Sequence, residues 1–186
     1  TAMMVGAALG MSGAVFQSIA RNPLGSPDIV GFESGAAFGA VVVITVWHGS
    51  SVQVALGAVA GGLVTALLVY VLAWRNGLAA SRLVLVGIGI GFAASAAVDY
   101  MITSAQIYDV QRAAVWLTGS LNGRSWDDVR TVGVGLAVVA PLIVIAQRQL
   151  DRIELGDDAA SALGVRVNRT KLMLILLAVG LAALAV

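Results

Sequence analysis

The chain has 186 residues, of which 59% are hydrophobic and 11% charged, against about 25% charged in an ordinary soluble domain. That balance excludes a water-soluble globule, which needs far more polar surface to cover its core, and a net charge of +1 selects no class of partner. With no cysteine and one histidine, His48, disulfides, a thiolate nucleophile and a histidine-built metal site are excluded.

Six apolar segments follow one another, at about 2–19, 29–47, 52–74, 83–104, 129–146 and 172–186. Each approaches the ~20 residues with which a helix crosses a bilayer. Period-2 alternation is absent, and an open sheet cannot satisfy its backbone in lipid. The expected fold is therefore all-α, a polytopic transmembrane helical bundle of about six spans. The first residues lack the basic region and cleavage site of a signal peptide. Both ends lie inside apolar runs, so a single membrane domain over 1–186, part of a larger protein, is expected.

Between the first two segments stands RNPLGSPD, residues 21–28. Pro23 and Pro27 deny a continuous helix, and Asp28 is placed to cap the next one. Arg21 and Asn22 complete an unusually specific turn. Glycines at four-residue spacing (Gly6 and Gly10; Gly31, Gly35 and Gly39; Gly57 and Gly61; Gly87 and Gly91) read as close helix contacts. The run VGIGIGF at 86–92 follows no strand, so it is not a nucleotide loop.

In the fourth segment Asp99 shares helical spacing with Ser95 and Thr103. A carboxylate at the bilayer centre costs about 2.5–3.5 kcal/mol. It either lines a polar route with those hydroxyls or sits hydrated near the interface. Residues 105–128 include Trp116 and Trp126, which suit an interface, and are expected to form a short helix at the membrane surface. No P-loop is present: the only lysine, Lys171, follows Thr170. The chain is read as a non-enzyme with no catalytic residues and no cofactor.

The stretch DRIELGDDAASALGVRV, residues 151–167, interrupts the apolar pattern with charge. Asp157 is placed to cap a short helix, Asp158 favours its first turn, and Gly164 can end it in a left-handed conformation. Ala159 or Ala160 shares a face with Leu163. Gly156 separates this helix from a preceding turn ending at Leu155, giving a helix pair. So short a helix is marginal in water. Either it is an ordinary loop, or something docks on it.

Placing the 21–28, 75–82 and 147–170 connections on one side, with the adjoining Lys171, collects eight of the 11 basic residues, leaving Arg112, Arg124 and Arg130 on the other with the 48–51 and 105–128 connections. The positive-inside rule makes the first side cytoplasmic. These residues by themselves leave three classes open: an ATP-driven importer subunit, a secondary transporter with Asp99 as ion site, and a membrane scaffold.

The stretches GAALGMSGAVFQSIARNPLGSPDIVGFESGAAFGAV, VWLTGSLNGRSWDDV and ELGDDAASALGV resemble, in order, motifs of the FecCD-type permeases of bacterial ABC importers for iron-siderophore complexes, haem and vitamin B12. LAWRNGLAASRLVLVGIGIG is similar to the ferric-enterobactin (catecholate siderophore) permeases. The resemblance implies a type II importer permease in the bacterial inner membrane and a ferric siderophore as cargo. It also implies a second permease subunit, cytoplasmic ABC ATPase subunits that hydrolyse ATP, and a periplasmic or lipid-anchored binding protein, with no role for nucleic acid. It assigns Leu155, Gly156, Asp157, Asp158, Ala159, Ala160, Leu163 and Gly164 to ATPase coupling, and Arg21, Asn22, Pro23 and Asp28 to a family turn. It also implies further spans, and neutral polar residues where Glu33 and Asp99 stand.

Overall fold

Two close backbone approaches organise the bundle, and both are made by glycine. In the computed structural model, which describes residues 1–22, 25–75, 79–120 and 126–185, α2 (Phe32–Thr45) crosses α3 (Ser51–Ala73). A Cβ on Gly35 would run into the Thr65 side chain, and one on Gly39 or Gly61 would strike the carbonyl of the opposing glycine ridge. At the start of α2, a Cβ on Gly31 would meet the backbone of Gly87 and Gly91 in α4 (Ala80–Ser104). The spaced glycines of α2, α3 and α4 are thus contact ridges. In lipid, where apolar burial gives no drive for helices to associate, such close van der Waals contact does so. Gly6 and Gly10, by contrast, face open space.

The remaining helices are α1 (Ala2–Ala20), α5 (Ile107–Thr118), α6 (Trp126–Glu154), α7 (Asp157–Ala162) and α8 (Val167–Ala185). Among the described residues four helices, α1, α3, α4 and α6, are long and apolar enough to cross a membrane. The second apolar segment supplies a 14-residue helix, so among the described residues it falls short of the full-length spans. The reason lies at Gly31. Residues 26–30 make one helical turn, closed by Gly31 N–H to Asp28 O (2.9 Å) and Phe32 N–H to Pro27 O (3.2 Å). Gly31 then takes φ 76 and becomes the N-cap of α2. Asp28, exposed in that turn, does not cap α2 as expected.

Helix α8 sits at the centre: Leu174, Ile175, Ala178 and Leu181 are fully buried. Ser12 in α1 donates to the Ala178 carbonyl at 2.7 Å, and the buried rings of Phe16 and Phe32 lie 5.2 Å apart. One end of the bundle gathers Arg21, Ala79, Ser81, Leu155 and Asp157 around a common cavity. At the opposite end His48 Nδ1 meets Asp109 of α5 at 3.3 Å, and Arg112 donates to the Gly49 carbonyl. The connections therefore alternate between two ends, as the charge distribution requires. Helix α5 is the expected short helix, docked on α2 through Ala113 and Trp116. Arg124 lies outside the described residues.

Adjacent glycines in α3 test the ridge. Gly61→Ala drives a methyl into the Gly35 carbonyl and should cost about 1–3 kcal/mol. Gly62→Ala meets only ordinary contacts at 3.6–3.7 Å and should be neutral or gain up to about 1 kcal/mol of helix propensity. Thermal unfolding of the full-length protein in detergent should move in opposite directions; equal losses would remove the ridge argument.

Candidate functional site

The charged interruption folds against the basic end of the bundle. Helix α6 does not stop at residue 146. Ala146, Leu150 and Ile153 are buried at helical spacing, and the polar residues between them are exposed, so one helix runs from the apolar segment through Glu154. The expected helix pair is accordingly one six-residue helix, α7, together with the protruding end of α6.

Gly156 turns the chain with φ 113 and ψ 151 and is the N-cap of α7. The C-terminus is closed by Gly164 at φ 79. Gly164 N–H reaches Ser161 O at 2.9 Å and Val165 N–H reaches Ala160 O at 3.0 Å, the paired bonds of a Schellman motif. Its accompanying apolar contact is here the buried cluster of Ile153, Ala160 and Val165. Gly164 thus ends the helix as its sequence position suggested.

Asp157 does something else than expected. It is the first residue of α7, not its cap, and its side chain makes no capping bond. Both carboxylate oxygens accept from Lys171 Nζ, at 2.8 and 2.7 Å. Arg21 Nη2 approaches the same group at 3.5 Å. The Lys171 side chain is fully buried, while Asp157 keeps 36% exposure. Pairing a buried ammonium outweighs a cap bond: removing one partner of a buried pair costs about 3–5 kcal/mol, whereas losing a cap costs about 1 kcal/mol. One carboxylate therefore ties α7 to α8 and to the end of α1.

Arg21 occupies an unusual position. It stands at φ 50 and ψ 39 at the C-terminus of α1, with Asn22 N–H bonded to Gln17 O at 3.1 Å. Glycine normally fills such a left-handed site. Here the site is filled by Arg21, whose guanidinium lies 3.5 Å from the Asp157 carboxylate. Of the predicted turn, Arg21 reaches the site and Asn22 closes α1. Asp28 remains apart, and Pro23 lies outside the described residues.

The predicted apolar face of α7 divides. Ala160 is fully buried inward; Leu163, 53% exposed, and Leu155, 70% exposed, point away from the bundle. Asp158 and Ala159 are exposed with them. The outcome is a small helix with a rigid underside and an outer surface bearing two leucines.

Ser95, Asp99 and Thr103 are exposed on α4, at four-residue spacing that continues from the Gly87 and Gly91 ridge meeting Gly31. Ser95 Oγ donates to Ser34 Oγ at 3.3 Å. Thr103 Oγ1 donates to the Asp99 backbone carbonyl at 2.7 Å. Phe92 and Tyr100 are 73% and 74% exposed on the same side. The stripe mixes polar and aromatic groups and is distant in sequence from α7.

The residue missed by sequence reasoning is Lys171. Its signal was present: a lone lysine at the mouth of an apolar run needs a counter-charge, and Asp157 lies 14 positions before it.

The sequence matches the FecCD transport family over residues 1–186. It is 43% identical to the ferric enterobactin transport system permease protein FepG of Escherichia coli (strain K12), over 99% of this chain and 56% of that protein. It is 40% identical to the achromobactin transport system permease protein CbrC of Dickeya dadantii (strain 3937), over 100% of this chain and 54% of that one. Among solved structures it resembles an inward-facing conformation of a transporter described as metal-chelate type ABC. That match has a TM-score of 0.90 at 28% identity and covers 99% of this chain and 59% of the other. The chain thus spans about half the length of the curated relatives it matches.

The burial asymmetry across the ion pair sets an ordered expectation. Asp157→Ala leaves the buried ammonium without its carboxylate and should cost on the order of 3 kcal/mol. Lys171→Met leaves a partly solvated carboxylate beside Arg21 and should cost less than about 1 kcal/mol. The double variant should resemble Lys171→Met, not the sum. Unfolding of the full-length permease measures all three; strictly additive losses would show that the pair does not interact.

Proposed function

The chain belongs to the FecCD transport family, and from that premise we propose that it forms the central part of a permease subunit in an ATP-binding-cassette importer of the bacterial inner membrane. The observation that carries the proposal is α7: a short helix clamped beneath by an ion pair and presenting Leu155 and Leu163 outward at the basic end. The positive-inside rule puts that end in the cytoplasm. There, residues 151–167 act as the coupling segment on which ATPase subunits dock. This chain binds no nucleotide motif of its own, and ATP hydrolysis belongs to those partners.

A second permease subunit covers the exposed face of α4, so that Ser95, Asp99 and Thr103 line the route between the two. Insertion cost supports this reading, because a carboxylate on an outward face of a span needs a polar neighbour or water. Asp99 is then a wall residue, not an ion site, since ATP supplies the energy. The cargo is a ferric siderophore of the catecholate class, as the name of the 43% identical relative suggests. It is received on the other side from a binding protein and crosses as an intact chelate. Haem and vitamin B12 are the other cargoes of such importers that a transport assay must compare.

Leu163→Asp should place a charge in the docking surface, and Gly164→Val should force a β-branched residue into φ 79. Both should reduce co-purification of the ATPase at least tenfold and abolish siderophore uptake, with membrane insertion and binding-protein docking preserved. Retention of ATPase and uptake at wild-type levels by both variants would refute the coupling role.

A further inference from the structure

A second, basic feature of the cytoplasmic end adjoins the coupling segment and shares Arg152, Gly164, Val165 and Arg166 with it. Between the end of α6 and the start of α8 lies a cavity of about 340 Å³ whose lining includes Arg152, Arg166, Arg169, Gln149, Thr170 and Met173. The lining contains three guanidiniums and no acid. All three arginines are exposed, and among the described residues no carboxylate pairs with them. The first turn of α8 also contains no acidic residue, so its unpaired N–H groups add to the positive potential.

The register of the two helices identifies the occupant. On α6, Arg152 and Gln149 continue upward along one face into Ile145, 76% exposed, and Leu142, 46% exposed. On α8, Arg169, with Arg166 just before the helix start, continues along one face into Met173, 42% exposed, and Leu176, 37% exposed. Both stripes advance by steps of three and four residues, which keeps them on one helical face. Each therefore runs from an apolar stretch inside the bilayer to arginine at its cytoplasmic edge. An acidic protein surface would match the arginines but not the apolar continuation. A molecule with a phosphate at one end and acyl chains at the other matches both.

We propose that the groove between α6 and α8 binds the headgroup of an anionic phospholipid, its phosphate held by Arg152, Arg166 and Arg169 and its chains lying along Ile145 and Met173. The site borders the coupling segment through Gly164 and Val165 but does not include Leu155 or Leu163, and it does not depend on the cargo. By holding α6 and α8 in register, a bound lipid braces the elements that flank the coupling helix.

The test uses the full-length permease, purified without partners in a neutral detergent and titrated with phosphatidylglycerol or phosphatidylcholine under native mass spectrometry. Phosphatidylglycerol should bind and phosphatidylcholine should not. The triple variant R152Q/R166Q/R169Q should lose affinity on the order of a hundredfold, about fivefold per guanidinium. The corresponding triple arginine-to-lysine variant should keep most of it. Arg75→Gln, a cytoplasmic charge outside the cavity, should change nothing. The proposal falls if phosphatidylglycerol does not bind, or if Arg75→Gln weakens binding as much as the triple variant. It falls if glycerol phosphate displaces the lipid at equal concentration, which would mean a soluble-anion site. It falls too if the glutamine variant binds phosphatidylglycerol normally but no longer holds the ATPase, which would assign the arginines to a protein partner.

Discussion

The buried ammonium of Lys171 is the constraint around which the cytoplasmic end is arranged. A charge without solvent exposure must be matched by an opposite charge held in good geometry. The two oxygens of Asp157, at 2.7 and 2.8 Å, meet that need here. Because Lys171 belongs to α8 and Asp157 to α7, the pairing fixes a six-residue helix that has little stability of its own. Arg21 adds a third anchor, from an α1 terminus held in a left-handed conformation. The apolar contact of Ala160 with Ile153 and Val165 completes the underside. What remains outward is small: two leucines, an acidic first turn and a glycine-closed end.

Stiffness below the clamp comes from a different source. Helices α2, α3 and α4 meet through glycine ridges with backbone in van der Waals contact, and α8 is enclosed by α1, α3 and α6. A displacement imposed on α7 is handed through Asp157 to a central helix, not to a loose loop. Under the proposed coupling role, force would enter through a charged contact at the surface and pass to a tightly interlocked bundle beyond it.

Much of this was legible in advance. The helical class, the alternation of connections between two ends and the glycine ridges follow from apolar length, arginine placement and four-residue spacing. Gly164 announced its left-handed end because a short apolar helix stopped there. Other features were not local. Asp157 looked like a cap, since the sequence near it offers unpaired N–H groups and gives no hint that Lys171 is buried. The continuation of α6 to Glu154 was obscured by Arg148, Asp151 and Arg152, which are polar yet sit on the exposed face of an unbroken helix. Gly31 was read as a packing glycine; it also breaks the second segment, taking φ 76 as the N-cap of α2 at a point where a Cβ would strike α4. The outward path of Leu163 and the inward path of Ala160 depended on which side of α7 the bundle lay.

The central claim is that α7 moves as one body with α8. Spin labels at exposed Ser161 and Leu176 in the full importer complex, read by pulsed electron resonance without nucleotide and with trapped ATP, measure it directly. The account requires one narrow distance distribution whose centre stays the same in both states, and which broadens when Asp157 is replaced by alanine. A distance that shifts on ATP binding in the unaltered complex, or a distribution that is already broad there, would show that α7 hinges independently of α8 and would contradict the account.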